Sequence, residues 1–443
     1  MKIVSILLTL LMSQSFVACS EQDSTTPAKE YPAVPLEDGA YADMYNTMGT
    51  TDAVPIRGRL VNEKAALDPY DTDPEDQISQ DEIEDKDMVL VLAGNGKTVD
   101  IGTVTTDDEG YVDTSVSLSG KGLGAGEYIL EVHVDDQLAG LATVALLDPE
   151  HTGTLIRSDV DLTYLNTQFV STLDKIKLLE EEPKDRKTLP AMEIVYPGLR
   201  AGIDGLQNRS LVFLSGSPKF FKRVLEGKMV LDQVVHNGLV LKPYKDITMS
   251  NLFGFDYDKI IPDLKEQIGY KLHWLLQLRL EAPATATEVL MGDDSEADIV
   301  AYVLYHRFTS GELDASELMS ALEDVKVSKS WRDSIAALAP LVTSHLVNNP
   351  QTVEAIYINK TGLDTAHFSV EEWSIEGLTR YHQGAWPLAL DLYQSGYLSK
   401  AYAHGVKARL TDLGQSNATL QVATDHAVLQ GYLSEETILE FNE

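Results

Sequence analysis

The chain has 443 residues, 35 basic and 69 acidic side chains, a formal net charge of -34, 44% hydrophobic residues and one cysteine. That length exceeds one compact domain, and the apolar share builds sizeable cores, so a disordered or fibrous chain is excluded. A sequence-independent nucleic-acid binder needs a basic stripe that is missing here, and one cysteine excludes both an internal disulfide and a cysteine-rich zinc site.

Lys2 precedes an apolar run from Ile3 to Met12, too short to span a bilayer but suited to an export signal. Phe16-Val17-Ala18-Cys19-Ser20 follows and resembles a bacterial lipobox, with Phe16 in place of the usual leucine. The resemblance implies a signal peptide over residues 1–18 and acylation of Cys19, which anchors the mature chain to a membrane. Ser20 after the cysteine resembles the outer-membrane sorting pattern, so the expected location is the cell envelope. Residues 19–52 are polar and contain Pro27, Pro32 and Pro35, and read as a tether.

Residues 53–148 carry strand signals. Val54 to Val61, Met88 to Leu92, Val99 to Val104, Tyr111 to Leu118, Tyr128 to Val134 and Leu141 to Leu146 alternate or run apolar between Gly/Asp-rich turns. The pattern predicts an all-β sandwich serving as a spacer or binding module. Within it, Asp68 to Asp87 holds ten carboxylates and one lysine. Asp71, Asp73, Glu75, Ile78 and Glu82 keep the spacing of a calcium-binding loop, but Asp76 stands where that loop turns on glycine, which favours a solvated acidic segment.

The chemistry-bearing residues begin after Thr154. Thr154 to Ser158 reads as a short buried strand delivering Asp159-Val160-Asp161-Leu162-Thr163 at its carboxyl end, where open α/β sheets bind ligands. Ser210 to Leu214 is a second apolar strand, ending in Ser215-Gly216-Ser217-Pro218 before a helical segment. Tyr270 to Leu278 reads as an amphipathic helix with Lys271 in its first turn, where a cation opposes the helix dipole; Lys265 and Lys242 are rival lysines. Glu288 to Met291 is a further strand, running into Gly292-Asp293-Asp294-Ser295-Glu296-Ala297-Asp298. Carboxylates gathered at a strand end repel unless a cation sits among them.

This order of motifs resembles the haloacid dehalogenase superfamily of phosphatases, and more closely the phosphatidate phosphatase catalytic domain of the actin-patch-protein type. The matching landmarks are Asp159 to Thr163, Pro197-Gly198, Ser215 to Pro218, Lys271, Met291 to Asp298 and Ala355 to Ile358, spread over about residues 150 to 400. The chain departs from the pattern at Leu162, where the family has another aspartate, and at Asp294-Ser295 in place of Ser-Gly. The implied architecture is an N-terminal all-β sandwich followed by an α/β Rossmann-like haloacid dehalogenase domain over 149–400. A helical insertion at 309–349 interrupts that domain, and C-terminal helices occupy 401–443.

The resemblance also implies the chemistry. Asp159 attacks phosphorus, Asp161 acts as general acid and then general base, and Ser215 and Lys271 hold the transferring oxygens. Mg2+ is held by Asp159, the backbone carbonyl of Asp161 and Asp293, with Asp294 and Asp298 behind it orienting metal-bound water. The expected substrate is a phosphomonoester or a phospholipid such as phosphatidate. The competing expectation is a catalytically inactive, surface-anchored binding or adhesion lipoprotein.

Overall fold

The computed structural model describes residues 40–62, 82–167, 181–242, 260–295, 297–346, 351–362 and 370–442. The export segment, Cys19 and most of the acidic insertion, including Asp71 to Glu75, lie outside the described residues. Among the described residues no helix is long and apolar enough to cross a membrane.

The N-terminal part is all β: β1 (Tyr41–Met44), β2 (Thr47–Thr50), β3 (Ala53–Val61), β4 (Asp87–Gly94), β5 (Lys97–Thr105), β6 (Tyr111–Ser117), β7 (Gly126–Val134) and β8 (Gln137–Leu147). A three-stranded sheet, β1-β3-β6, faces a five-stranded sheet, β2-β8-β7-β4-β5. Strand periodicity explains why they stack: in β4, Met88, Leu90 and Leu92 point inward while their neighbours do not. Those three side chains share one buried cluster with Ile56 and Leu60 of β3 and Val132 of β7.

The tether therefore ends earlier than residue 52. Residues 41–50 form β1 and β2, with Tyr41, Ala42, Met44 and Met48 buried. β1 pairs antiparallel with β3, and β2 pairs parallel with β8. Strands of four residues are too short to show a period in the sequence. Their fit is nonetheless close: a Cβ on Gly140 of β8 would meet the Ala42 carbonyl oxygen at 2.2 Å.

The second part alternates strand and helix. Its elements are β9 (Thr154–Ser158), α1 (Met192–Ala201), β10 (Leu211–Pro218), α2 (Lys222–Leu231), β11 (Gly238–Lys242), α3 (Ile260–Glu281), β12 (Thr287–Asp293) and α4 (Asp298–Thr309). There follow α5 (Ala315–Asp324), α6 (Lys329–His345), β13 (Val353–Asn359), α7 (Val370–Trp373), β14 (Thr379–His382), α8 (Ala385–Gln394), α9 (Lys400–Asp412), α10 (Asn417–Leu429) and α11 (Glu435–Asn442). The six strands form one sheet in the order β11-β10-β9-β12-β13-β14, and every pairing is parallel. This is a doubly wound order. The connections reverse direction between β9 and β12, which opens a crevice at their carboxyl ends.

Both faces of the sheet are covered, so β10 and β13 read as largely apolar runs, while β9 and β12 also carry Arg157 and Glu288, buried and paired at 3.2 Å. Along β10, Leu211 and Phe213 join one core with α1, α2 and α8 to α11, whereas Val212 and Leu214 join the other with α3 to α6. The expected helical insertion is α5 and α6. It packs against α3, where a Cβ on Gly269 would strike Trp331 at 2.7 Å. The C-terminal helices do not stand apart from residue 401 onward: Ala403, Leu410, Leu420 and Phe441 share the cluster that contains Ile156 of β9.

The sandwich is docked on the α/β unit through partly buried ion pairs. Asp43 of β1 accepts from Lys222 of α2 at 2.7 Å and from Arg223 at 3.4 Å. Arg57 of β3 bridges Asp113 at 3.0 Å and Glu281 at the end of α3, with its Nη1 at 3.1 Å. The module expected as a spacer is thus also a seat for α2 and α3.

Candidate active site

Asp159 follows directly on β9 at the reversal point. Its N–H donates to the Met291 carbonyl of β12 at 2.8 Å, so the two strand ends are tied together. Ser158 donates its hydroxyl to the Asp159 carbonyl at 2.7 Å and lies 2.6 Å from the buried Tyr196 hydroxyl. The turn that follows places Leu162 at φ 54, in the left-handed region that costs a non-glycine residue roughly 1–2 kcal/mol. Two bonds hold it there: its N–H donates to Leu165 at 2.8 Å, and its carbonyl accepts the Asn359 amide at 2.8 Å. The turn separates the two aspartates into different surroundings.

Asp159 faces Lys271, whose Nζ donates to Oδ1 at 2.9 Å with neither side chain exposed. The same ammonium donates to Asp298 Oδ1. Asp298 Oδ2 in turn accepts the Asp293 N–H at 3.1 Å, and Asp293 Oδ1 accepts both the N–H of Ser295, at 2.7 Å, and its hydroxyl. Gly292 permits this approach, because a Cβ there would meet Asp298 Oδ2 at 2.6 Å. Lys271 is not in a first turn as the sequence suggested. Its helix starts at Ile260, so Lys271 is mid-helix, and the cause of its position is the pair of buried carboxylates rather than the helix dipole.

Asp159, Asp293 and Asp298 each offer an oxygen, all within 4.8 Å of one another and all buried. Three carboxylates against one ammonium leave an excess of negative charge in a dry site, and hard oxygen donors in that arrangement suit a divalent cation such as Mg2+. The residues therefore fit the metal. Asp298, expected behind it, lies within the cluster itself. Asp294 turns away: its Oδ1 accepts the Thr361 N–H and hydroxyl, each at 2.8 Å, and it braces the loop after β13.

Asp161 occupies the other side. Its Oδ2 accepts the Ser215 and Ser217 hydroxyls, each at 3.2 Å, and the Ser217 N–H donates to Ser215 Oγ at 3.0 Å. β10 thus brings Ser215 to the same crevice. Tyr270, the residue before Lys271, donates to the Ser215 carbonyl at 2.9 Å, which fixes α3 against the end of β10. Arg186 lies close enough for Asp161 to feel its charge; burial pulls the guanidinium below its ordinary value and Asp161 opposes that shift.

Of the rival lysines, Lys242 ends β11 on the sheet's edge, beside Pro218, and the Lys265 side chain lies outside the described residues. Glu82, the last position of the calcium-like spacing, accepts from Arg59 at 3.1 Å. Asn359 and Thr361 were not singled out in the sequence. Asn359 ends β13 as Asp293 ends β12, so the strand-end rule alone points to it.

No family model and no curated protein matches the chain. Among solved structures, an immunoglobulin-like protein from Pseudomonas aeruginosa aligns over 26% of this chain and 98% of its own, at 11% identity and a TM-score of 0.15. A β-glucuronidase from Bacteroides uniformis aligns over 84% of this chain and 43% of its own, at 10% identity and a TM-score of 0.21. A 2,6-sialyltransferase from Photobacterium sp. JT-ISH-224 aligns over 85% and 61%, at 10% identity and a TM-score of 0.19. The chain spans under two thirds of the length of these two enzymes, and likenesses this low carry no argument about fold or activity.

Proposed function

We propose that the chain is a magnesium-dependent phosphomonoesterase of the haloacid dehalogenase type, anchored in the cell envelope through Cys19. The observation that carries the reading is the meeting of Asp159, Asp293, Asp298 and Lys271 at the reversal point of a parallel sheet, with Asp161 and Ser215 beside them.

In the proposed reaction an Asp159 carboxylate oxygen attacks phosphorus, forming an aspartyl phosphate as the bond to the ester oxygen breaks. Protonated Asp161 gives its proton to the leaving alkoxide, which departs as the alcohol. Water then attacks the aspartyl phosphate and passes a proton to Asp161, the bond to Asp159 breaks, and inorganic phosphate leaves with both side chains restored. Lys271 and the Ser215 hydroxyl neutralise and orient the transferring oxygens, since phosphoryl transfer depends mostly on position and electrostatics. When bound by Asp159, Asp293 and Asp298, Mg2+ supplies the positive charge that lets a carboxylate approach a phosphate dianion.

The test is phosphate release from phenyl phosphate and short-chain phosphatidate, with Mg2+ and with chelator. Release that needs the metal supports the reading. No turnover of any phosphomonoester overturns it.

A further inference from the structure

Beside the acidic cluster lies a cleft of about 430 Å³, within the range of small-molecule sites. Its inner wall is the catalytic turn itself, since Leu162 and Thr163, which directly follow Asp161, line it. Asn359, which holds the Leu162 carbonyl, and Thr361, which is held by Asp294, line it too. The opposite wall comes from the C-terminal helices, through Trp386 of α8 and Leu420 of α10. The cleft therefore joins the reacting end of the sheet to helices that contribute nothing to the acidic cluster.

Its chemistry differs from that of the cluster. Leu162 stands where the family pattern has another aspartate, and its strained left-handed backbone is maintained by two hydrogen bonds. Trp386 is fixed by its indole N–H, which donates to Thr424 at 3.0 Å, and by edge contact with Phe441 at 5.9 Å. A rigid aromatic wall facing an apolar side chain favours an apolar guest. Thr163 adds a polar handle, a buried hydroxyl with no hydrogen-bond partner among the described residues, and Asn166, Lys360, Gln383 and Gln415 put further polar groups on the lining.

We propose that this cleft receives the organic group of the phosphomonoester and favours a single apolar chain or ring over a two-chain lipid. The inference rests on the phosphatase reading. A methylene fills about the volume of a water, roughly 30 Å³, so 430 Å³ corresponds to one chain of about fourteen carbons. Two long acyl chains exceed it. The C-terminal helices thereby become the specificity element, and Leu162 lies between the cleft and the acidic cluster.

The experiment compares kcat/KM for methyl, butyl and hexyl phosphate and a two-chain phosphatidate, using the whole mature protein and Ala423→Trp, which fills the cleft from α10. In the native protein kcat/KM should rise about fourfold per methylene and fall for the two-chain lipid, and Ala423→Trp should flatten the series. A flat series in an active native enzyme, or an unchanged slope in a folded Ala423→Trp variant, overturns the inference. A second readout needs no turnover: titration with hexylphosphonate should change the tryptophan emission, and Trp386→Phe should remove that change. If no ester is hydrolysed but the Trp386 signal is present, the phosphatase reading fails and the cleft stands as an apolar anion site. Absence of the signal in the native protein overturns the cleft in either case.

Discussion

Lys271 reaches Asp159 from the middle of a helix, Nζ to Oδ1 at 2.9 Å, and the same ammonium holds Asp298. One cation thus restrains two of the three carboxylates at the reversal point. Lys271→Met removes it and leaves both anions buried. Losing one partner of a buried pair costs about 3–5 kcal/mol, which a urea titration resolves. Mg2+ should recover part of that loss, because it competes for the same oxygens, and turnover should fall by at least about 10². A Lys271→Met protein as stable and as active as the native chain would show that the contact has no role.

Metal binding should be visible as stability. A ligand that binds only the folded state at about 100 times its Kd adds about 2.7 kcal/mol. Thermal unfolding with and without Mg2+ should show this shift, and chelator should reverse it. Asp293→Asn should lose the shift while keeping its fold, because an amide oxygen still accepts from Ser295.

Asp161 is assigned to proton transfer, so its replacement should depend on the leaving group. Asp161→Asn should lower kcat for alkyl phosphates by about 10²–10⁴, with a smaller loss for aryl phosphates, whose phenols leave without a proton. The comparison is read in single turnover as release of the alcohol or phenol, because the later water attack also uses Asp161 and is common to both esters. Equal losses in that first step would assign Asp161 to binding. Ser217→Ala should have a smaller effect than Ser215→Ala, since Ser217 is exposed to a greater degree and only Ser215 also accepts a backbone N–H.

Acid should loosen the contact between the sandwich and α2. Burial raises the Asp43 carboxyl, but Lys222 and Arg223 together outweigh it and hold the group below its ordinary 3.8. Its stabilisation is thus present above that value and lost as pH falls through the folded one. His236 acts earlier. Burial, helped by Arg200 and Lys222, pushes its imidazole from 6.5 down to about 4, so the unfolded chain takes up a proton that the folded one refuses. His382, likewise pushed down to about 4 by burial, acts in the same sense. Stability should therefore decline from about pH 6.5 towards pH 4, and His236→Gln should lessen that limb, more so together with His382→Gln, in urea titrations at pH 7 and 5.

The acidic site was legible because it is local. β9, β10 and β12 each carry apolar residues before a polar one, Asp159 just beyond β9, Ser215 after Leu211 to Leu214 in β10 and Asp293 at the end of β12, so strand reading alone points to them. The six predicted strands of the sandwich are present for the same reason, having alternating or apolar runs long enough to show. β1, β2 and β14 were not legible, since four residues carry no period, and β14 reads Thr-Arg-Tyr-His. Lys271 could be chosen but not explained, because its helix begins well before the amphipathic stretch around it. The wall that α8 and α10 build opposite Leu162 is a tertiary fact, to which Trp386 contributes a residue that by pattern is core.

The most direct test of the nucleophile is to quench the protein in acid during turnover of phenyl phosphate with Mg2+ and map the phosphorylated peptide. One phosphoryl group is expected on the peptide bearing Asp159, absent from Asp159→Asn, which should also lose turnover. A phosphoryl group on another residue, or full activity in Asp159→Asn, would contradict Asp159 as the attacking group.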